Sequence, residues 1–494
     1  MAKKFSKIIA AVLVAAMCLS AVFLSSCISG KDGEDGKDLD IYDVYSAVCE
    51  QRDSAGLDSI SFLEFIEEYF GYVSDQAVTS ADKTAIMNYS LLSGVAIWTQ
   101  FKISEGHFAG SSTYDLFAGS GVIIDVDKDA GDAYIVTNAH VVYDSDYSSN
   151  DGFCEEIYLY LYGSDVEGVD YAINSNYSIT NYSGISAKCV KVIGVSLLYD
   201  IAVLKVTGSS VLKNSNAVAA KFSTDANVYV GEEVYTVGNP SYEGLSVMQG
   251  IISRDTETIY VDVDDDSTDY YTDYESFRVF RTTTAINGGN SGGAVYNMSG
   301  EIIGIGNATS LTEDNLVQDM CYALPANNVR RIAQSMIDNY EENDTVCHYL
   351  SKATIGVTTE VDAESTYAEY DADTGRTVIH ETVQVASVLS EYAAYNLLSA
   401  GDTLVSYSIG KMTGSAPSSA QTERASGFSV PSNSDYITDS RYCDTVEITR
   451  SFMLSEGMIS VRVGDTVELV IERDNTTYYT YFTFDDSSYF TQYE

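Results

Sequence analysis

The chain has 494 residues, of which 45% are hydrophobic and 12% aromatic, and it carries a formal net charge of −45. This length is too great for one ordinary core and predicts two or three domains. The acidic balance argues against electrostatic binding to nucleic acid or to an anionic lipid surface, and it indicates a solubilising outer surface.

The chain begins with a secretory leader. Three lysines within the first seven residues precede an apolar run over residues 8–24, which is short for a membrane-spanning helix. The run ends in Leu24-Ser25-Ser26-Cys27, which is similar to the bacterial lipobox, where cleavage leaves the cysteine for lipid attachment. We therefore expect a lipoprotein signal peptide over residues 1–26, rather than an uncleaved anchor. The protein would then lie on the outer face of the bacterial cytoplasmic membrane, held by lipid on Cys27.

Two further segments precede the first strands. Residues 30–38 repeat Gly-x-y three times, too few repeats for a collagen helix, so residues 27–40 are predicted to form a polar tether. Between residues 41 and 90 apolar residues recur at helical spacing, which predicts a small helical spacer.

From about residue 93 short strands alternate with turn signals, a pattern typical of a β-barrel or sandwich. Three polar residues stand at strand edges: His140 ends one strand, Asp200 opens another, and Ser291 lies in a glycine-rich turn. A serine nucleophile needs a base for its proton and N–H donors for the oxyanion that it creates. His140 is the candidate base and Asp200 its orienting partner. The backbone amides of Gly289 and Ser291 are the candidate donors.

The serine motif alone is ambiguous, because residues 289–293 also fit the G-x-S-x-G turn of α/β-hydrolases. That class has its histidine after the serine, whereas the order here is histidine, aspartate, serine, as in chymotrypsin-like proteases. An esterase that uses the same serine remains an alternative, with His348 or His380 as its base.

Taken together, the motifs resemble the HtrA/Deg family of trypsin-like serine proteases. The matching segments cover residues 119–124, 137–141, 200–204, 238–240, 249–253, 289–293 and 322–325. The resemblance implies a chymotrypsin-like double β-barrel protease domain over residues 91–340, with the triad between the barrels. It also implies unfolded polypeptides as substrates and a homotrimeric assembly. No cofactor or metal is expected.

The same resemblance implies a primary substrate pocket with apolar walls. Its residues would be Ala285, Ile286, Ile303, Gly304 and Ile305. Since none of them is acidic, small aliphatic side chains such as valine or alanine should be preferred over lysine or arginine.

One residue departs from the family pattern. Gly288 stands where the family usually has proline, so the turn that feeds the oxyanion hole has more backbone freedom. This difference, together with an acidic loop over residues 261–276, keeps a second hypothesis open. In it the protein is a catalytically silent chaperone or PDZ adaptor.

A composition change near residue 345 predicts a further domain boundary. Residues 345–476 resemble a PDZ domain of the HtrA type, an α+β fold that binds C-terminal peptides. The amides of Ile355, Gly356 and Val357 would receive the peptide carboxylate, while the peptide adds to the sheet as a strand. The sequence suggests no assignment for the tail over residues 477–494.

Two smaller questions concern metal ions and disulfides. Aspartates alternate at residues 262–266 and 125–129, but the first run lacks the glycine of a calcium-binding EF-hand and the second is typical of a hairpin turn. Six cysteines beyond Cys27 allow 15 pairings. The best candidate pair is Cys154 with Cys189, and free thiols are the alternative.

Overall fold

The computed structural model describes residues 80–104, 113–147, 149–163, 184–223, 227–262, 274–285, 288–312, 315–343, 346, 351–372, 374–431, 442–485 and 490–492. The predicted leader, Cys27, the tether and most of the spacer lie outside these residues, and so does Ile286. The chain divides into two compact units, residues 1–86 and 87–494. Helix α1 (Ser80–Ser90) is the part of the predicted helical spacer that is described.

The first sheet has six antiparallel strands around an aliphatic core. They are β1 (Gly94–Ser104), β2 (Thr113–Asp127), β3 (Asp132–Thr137), β4 (Glu156–Leu161), β5 (Val190–Ser196) and β6 (Ile201–Val206), in the order β4-β1-β2-β3-β6-β5. Fully buried Ile97, Ile123 and Leu204 fill its interior. A single bridge between Leu159 and Ile185 joins β4 to the segment leading into β5, so the sheet curls towards closure.

The second sheet closes into a barrel. Its strands are β7 (Glu233–Gly238), β8 (Ser246–Asp262), β9 (Tyr274–Thr282), β10 (Ala294–Asn297), β11 (Ile302–Thr312) and β12 (Asn315–Pro325), and the order around the barrel is β10-β11-β12-β9-β8-β7. The short helix α2 (Ser210–Lys213) lies in the connection from the first sheet. The mainly β class predicted from the strand pattern is confirmed.

A pair of tyrosines lies on the adjacent strands β7 and β10 of the second barrel. Tyr235 and Tyr296 are fully buried and stack with ring centroids 5.2 Å apart. Their hydroxyls share hydrogen bonds of 2.8 Å with Ser90 and Ser93, which end α1 and the 3-10 turn after it. Because buried hydroxyls need partners, the segment before β1 covers this pair and supplies those partners.

Helix α3 (Ala326–Asn343) follows the barrel and packs on the first sheet. Gly194 of β5 permits this approach, because a Cβ added there would lie 2.6 Å or less from Met336 Cβ and Cγ. At the helix end Glu341 accepts a 2.8 Å hydrogen bond from Lys205 and a short one from the Tyr134 hydroxyl.

The C-terminal part is a seven-stranded sheet with two additional short strands. The nine strands are β13 (Ser351–Ala353), β14 (Val357–Asp371), β15 (Arg376–Val388), β16 (Thr403–Met412), β17 (Phe428–Ser429), β18 (Cys443–Glu447), β19 (Thr466–Arg473), β20 (Thr476–Thr483) and β21 (Phe490–Gln492). The main order is β14-β15-β16-β19-β20, with β17 and β18 also on β16, while β13 pairs with β21. Helix α4 (Met453–Gly457) packs near this sheet. The unassigned tail therefore supplies most of β20 and all of β21.

Ion pairs join the C-terminal sheet to the second barrel. Arg278 of β9 makes a bidentate contact with Glu456 of α4, at 2.5 and 2.8 Å. Arg450, just before α4, binds Asp255 at 2.7 Å and Glu381 at 3.3 Å. Since all three acids are largely buried, removing one partner would leave an uncompensated charge.

The predicted pairing of Cys154 with Cys189 is wrong, since both are free thiols. Cys154 leads into β4 and Cys189 into β5, which are the two ends of the first sheet. Burial raises the pKa of the Cys154 thiol to about 12, so it stays protonated and unreactive.

Among the described residues, no helix has the length and apolar character needed to cross a membrane. The turn at residues 128–131 is a hairpin in which the Asp127 carboxylate accepts a hydrogen bond from the Ala130 amide. This is the structure that the alternating aspartates of residues 125–129 were expected to form.

We predict that Gly194→Ala lowers the free energy of unfolding by about 1–3 kcal/mol, because the added methyl forces Met336 out of its place on the sheet. Chemical denaturation would measure the loss. If the two residues clash as described, combining the change with Met336→Ala should cost less than the sum of the single changes. Strict additivity would contradict the contact.

Candidate active site

The register of the first sheet brings His140 and Asp200 together. His140 lies in the 3-10 turn directly after β3, and Asp200 directly precedes β6. The two strands pair with Thr137 opposite Ala202, so both residues emerge at the same edge. His140 Nδ1 lies 2.7 Å from Asp200 Oδ2, and the His140 amide donates to Oδ1 at 2.9 Å.

Asp200 is held in an uncommon backbone conformation. Its φ of +48° lies in the left-handed region, which costs free energy for a residue with a side chain. The Asn138 side-chain amide donates to the Asp200 carbonyl at 2.8 Å, and the Asn307 side-chain amide donates to Oδ2 at 2.6 Å. Three donors, the His140 amide, His140 Nδ1 and the Asn307 side-chain amide, thus converge on a carboxylate whose side chain is 13% exposed, which fixes its orientation.

The electrostatic setting of His140 suits a general base. Loss of hydration in the cleft lowers the pKa of His140, but the negative charge and hydrogen bond of Asp200 raise it more, and the net shift is upward. The side chain is 50% exposed, so its second ring nitrogen can reach a substrate or a serine. A raised pKa makes the imidazole a stronger base, so it accepts a proton more readily.

Ser291 comes from the second barrel, in the turn before β10. In this conformation its Oγ makes a long 3.5 Å contact with the Asn307 carbonyl, and within the described part of the chain no hydrogen bond joins it to His140. Such bonds are often long without substrate and tighten in the complex. Asn307 therefore touches both halves of the site, Asp200 through its side chain and Ser291 through its backbone.

The turn before Ser291 is shaped for an oxyanion. Gly289 has a φ of +96°, and a Cβ there would lie 2.1 Å from the Asn239 carbonyl oxygen, so only glycine fits. Among the described residues, the amides of Gly289 and Ser291 have no acceptor. Ser120 of β2 holds the turn from the first sheet: its amide donates to the Ser291 carbonyl at 2.8 Å and its hydroxyl to the Gly289 carbonyl at 2.6 Å.

The residues predicted to wall the substrate pocket are placed differently from one another. Ala285 is exposed, Ile303 belongs to the core cluster of the barrel, and Ile305 is fully buried. A Cβ on Gly304 would lie 2.5 Å from the ring of Phe280, so this ring fills the space beside the strand. The pocket itself stays a prediction.

The alternative histidines do not approach Ser291 within the described residues. His380 lies on β15 of the C-terminal sheet, stacked on Tyr367 and 3.4 Å from Glu369. His348 lies outside the described residues. The esterase arrangement therefore has no support in the described geometry.

Sequence reasoning missed three residues that position the site, namely Ser120, Asn138 and Asn307. Ser120 and Asn138 lie in the segments that resemble the HtrA/Deg family, but no role was assigned to them, and Asn307 was visible only as a polar residue after an apolar strand. A buried polar side chain in such a place must have a partner, and this is the signal that could have singled them out.

A groove beside the C-terminal sheet contains the predicted peptide-carboxylate residues. A cavity of about 310 Å³ is lined by residues 352–359 together with Ser451, Leu454, Ser455 and Met458, so it lies between the start of β14 and helix α4. Ile355 is buried in the core and Gly356 has a φ of +77°. Lys352 Nζ lies 2.5 Å from Ser455 Oγ.

Comparisons with known proteins agree with this geometry. Residues 119–305 match the trypsin-like peptidase domain. Serine protease Do-like HtrB of Bacillus subtilis (strain 168) is 32% identical over 222 residues, covering 44% of this chain and 38% of that protein. Serine protease Do-like HtrA of the same organism is 31% identical over 234 residues, covering 47% and 42%. The alignments thus span less than half the length of these curated relatives.

A solved structure, an HtrA-type protease AlgW with decapeptide, aligns with 81% of this chain and 97% of that chain, at 18% identity and a TM-score of 0.43. The sequence matches and the barrel architecture together lead to one statement: the chain contains a trypsin-like peptidase domain and is similar to Do-like HtrA serine proteases over less than half of its length.

Proposed function

We propose that this protein is a serine endopeptidase that cleaves unfolded or misfolded proteins outside the cytoplasm. The observation that carries the proposal is the His140–Asp200 pair at one sheet edge, facing a glycine turn whose Gly289 and Ser291 amides have no acceptor among the described residues. A base, its orienting acid, a hydroxyl and two N–H donors are the groups that acyl transfer requires.

In the proposed reaction Ser291 Oγ attacks the scissile carbonyl while His140 takes its proton. Asp200 keeps the imidazole in the right tautomer and stabilises its cation, and the amides of Gly289 and Ser291 hold the oxyanion. The tetrahedral intermediate collapses as His140 gives the proton to the leaving amine. Water then attacks the acyl-enzyme by the same proton path and releases Ser291.

Extended, unfolded segments are the natural substrates for such a cleft, because folded proteins bury the backbone that must enter it. The residues proposed for the primary pocket, Ala285, Ile286 and residues 303–305, carry no charge. We therefore propose a preference for small aliphatic side chains such as valine or alanine.

The C-terminal groove is proposed to bind the C-terminus of a peptide in the manner of a PDZ domain. Strand β14 is the last strand of its sheet, so within the described residues its outer edge has no partner and can accept an added strand. Gly356 takes a left-handed turn in the lining of this groove. Its N–H makes a long 3.3 Å hydrogen bond to the Thr354 hydroxyl, which a peptide carboxylate would replace.

Lys352 gives this groove a positive charge. It lines the same cavity, and burial lowers its pKa, with a weaker opposing effect of Glu456. Among the described residues it has no carboxylate within ion-pair distance, whereas Glu456 is engaged by Arg278. An arriving peptide carboxylate would supply the missing counter-charge.

We propose further that Cys27 carries lipid and that the protein lies on the outer face of the bacterial cytoplasmic membrane. The apolar run over residues 8–24 and the lipobox-like ending before Cys27 support this location. A homotrimer is proposed on the resemblance to the HtrA/Deg family alone.

The first test is digestion of unfolded casein by residues 29–494, beside Ser291→Ala and with or without C-terminal peptides. Cleavage by the wild type that the mutant loses is expected, because the hydroxyl is the nucleophile. If a folded wild-type chain cleaves nothing under any condition, the endopeptidase proposal fails and a chaperone or PDZ adaptor becomes the better one.

The pH profile of kcat/KM tests the roles of His140 and Asp200. Neutral imidazole is the active base, so activity should rise with pH through a midpoint above 6.5, the ordinary value, since the pKa is raised. Asp200→Asn removes both raising contributions, so the midpoint should move to lower pH while kcat falls by about 10,000-fold. Asp129→Asn, an equal charge change in an exposed turn, should alter neither. An unmoved midpoint in Asp200→Asn would contradict the assignment.

Peptide binding tests the groove. A peptide with a free C-terminus should bind the wild type about tenfold more tightly than the same peptide amidated, because a charge-assisted hydrogen bond is lost. Lys352→Met should remove this difference, and Lys352→Arg should retain most of it; fluorescence anisotropy would measure all six affinities. If Lys352→Met prefers the free over the amidated peptide as strongly as the wild type does, Lys352 does not bind the peptide carboxylate.

A further inference from the structure

The direction of each oxyanion N–H depends on what holds the carbonyl of the preceding residue. In a trans peptide unit the C=O and N–H bonds point in opposite directions. The Ser291 N–H is therefore aimed by the Asn290 carbonyl, which accepts from the Gly293 amide at 2.9 Å within the same turn. The Gly289 N–H is aimed by the Gly288 carbonyl.

The Gly288 carbonyl is held by a different part of the chain. It accepts a 2.9 Å hydrogen bond from the Ser241 amide, in the short 3-10 turn Pro240–Tyr242 between β7 and β8. Gly288 has no side chain to restrict its own rotation, and Gly289 lies in the left-handed region where glycine moves freely. One oxyanion donor thus depends on a loop outside the serine turn.

The ring of Tyr242 covers these two glycines. A Cβ added at Gly289 would lie 3.0 Å from Tyr242 Cδ1 and 3.2 Å from Cε1, and one added at Gly288 would lie 3.3 Å from the Tyr242 hydroxyl. The ring also packs against the indole ring of Trp98 of β1, with 5.9 Å between the ring centroids. Tyr242 is 49% exposed, and within the described residues its hydroxyl has no hydrogen bond, so the ring acts by packing.

The loop that carries this ring is itself strained and supported. Ser241 and Tyr242 have φ values of +55° and +66°, which non-glycine residues adopt only where the surroundings impose them. Asn239 supplies that support through two hydrogen bonds of 2.8 Å. Its side-chain oxygen accepts from the Gly244 backbone amide, and its backbone amide donates to Ser120 Oγ. The same Ser120 hydroxyl donates to the Gly289 carbonyl, which ties the loop to the serine turn.

We propose that Tyr242 is a positioning residue for catalysis: its ring, with the Ser241 amide, holds the Gly288–Gly289 peptide so that the Gly289 N–H faces the oxyanion. This inference rests on the proposed endopeptidase function. At position 288 the HtrA/Deg pattern has a proline, whose ring restricts the backbone, whereas this chain has glycine. In this protein the restraint on residue 288 comes instead from the Tyr242 ring of a neighbouring loop.

Kinetics of Tyr242 variants give the first test. Losing one oxyanion donor outright costs about 100- to 1,000-fold in kcat, so an imperfectly held donor in Tyr242→Ala should lower kcat by about tenfold or more, with KM within about twofold. Tyr242→Phe should retain wild-type kcat, because the hydroxyl has no partner. A loss confined to KM would overturn the proposal and make Tyr242 a substrate contact.

A second variant separates positioning from general damage. In the Tyr242→Ala background, Gly288→Ala restricts the turn by its own side chain and should restore kcat about two- to fivefold, the range expected for Gly-to-Ala changes. In the wild-type background the same change should give no gain, since Tyr242 already restrains the peptide. Equal effects of Gly288→Ala in both backgrounds would contradict the coupling.

Crystal structures of the wild type and Tyr242→Ala test the same inference without activity. The wild type should keep the Ser241 amide on the Gly288 carbonyl, and the variant should show this bond broken and the peptide rotated. If the variant keeps the bond and the peptide orientation, the positioning role is wrong even where the wild type cleaves casein. If the peptide rotates but the wild type cleaves nothing, the inference about Tyr242 holds and the proposed function fails.

Discussion

The pairing of β3 with β6 is the constraint on which the site depends. A strand register that differed by one residue would turn every side chain to the opposite face and separate His140 from Asp200. The core of the first sheet enforces the register, because Ile135 and Leu204 lie opposite each other and both are fully buried. Hydrophobic packing in the core of the first sheet thus fixes the positions of His140 and Asp200 at its edge.

Two asparagines hold the catalytic residues in place by hydrogen bonds, and one of them links the two sheets. Asn138 supports the left-handed backbone of Asp200, and Asn307 reaches from β11 to the carboxylate of Asp200 and to the hydroxyl of Ser291. Side-chain amides suit this work because they donate without bringing a charge that would compete with the aspartate. The two sheets are therefore coupled at the site by hydrogen bonds of Asn307, which brings no charge of its own.

The fold class, the His–Asp–Ser order and the position of the serine turn could be predicted from the sequence, because each depends on local patterns. Strand periodicity identifies buried strands, and glycines mark the turn where only glycine fits. The contacts of Asn307 and Tyr242 could not be predicted, since they join residues that are distant in the sequence and have no periodicity. The Cys154–Cys189 pairing failed for a different reason: both residues pack against the same core, and yet both remain free thiols.

Two serines that precede the first strand bind residues of the second barrel, and they therefore bear on where the protease domain begins. Ser90 and Ser93 satisfy the stacked phenols of Tyr235 and Tyr296, although both serines precede the first strand. A domain cut at β1 would remove both hydrogen bonds and uncover the two rings, and each lost bond alone should cost about 0.5–1.5 kcal/mol. The smallest independently folding protease unit of this chain should therefore include the end of α1, and the residue that sets its boundary belongs to the helix rather than to the barrel.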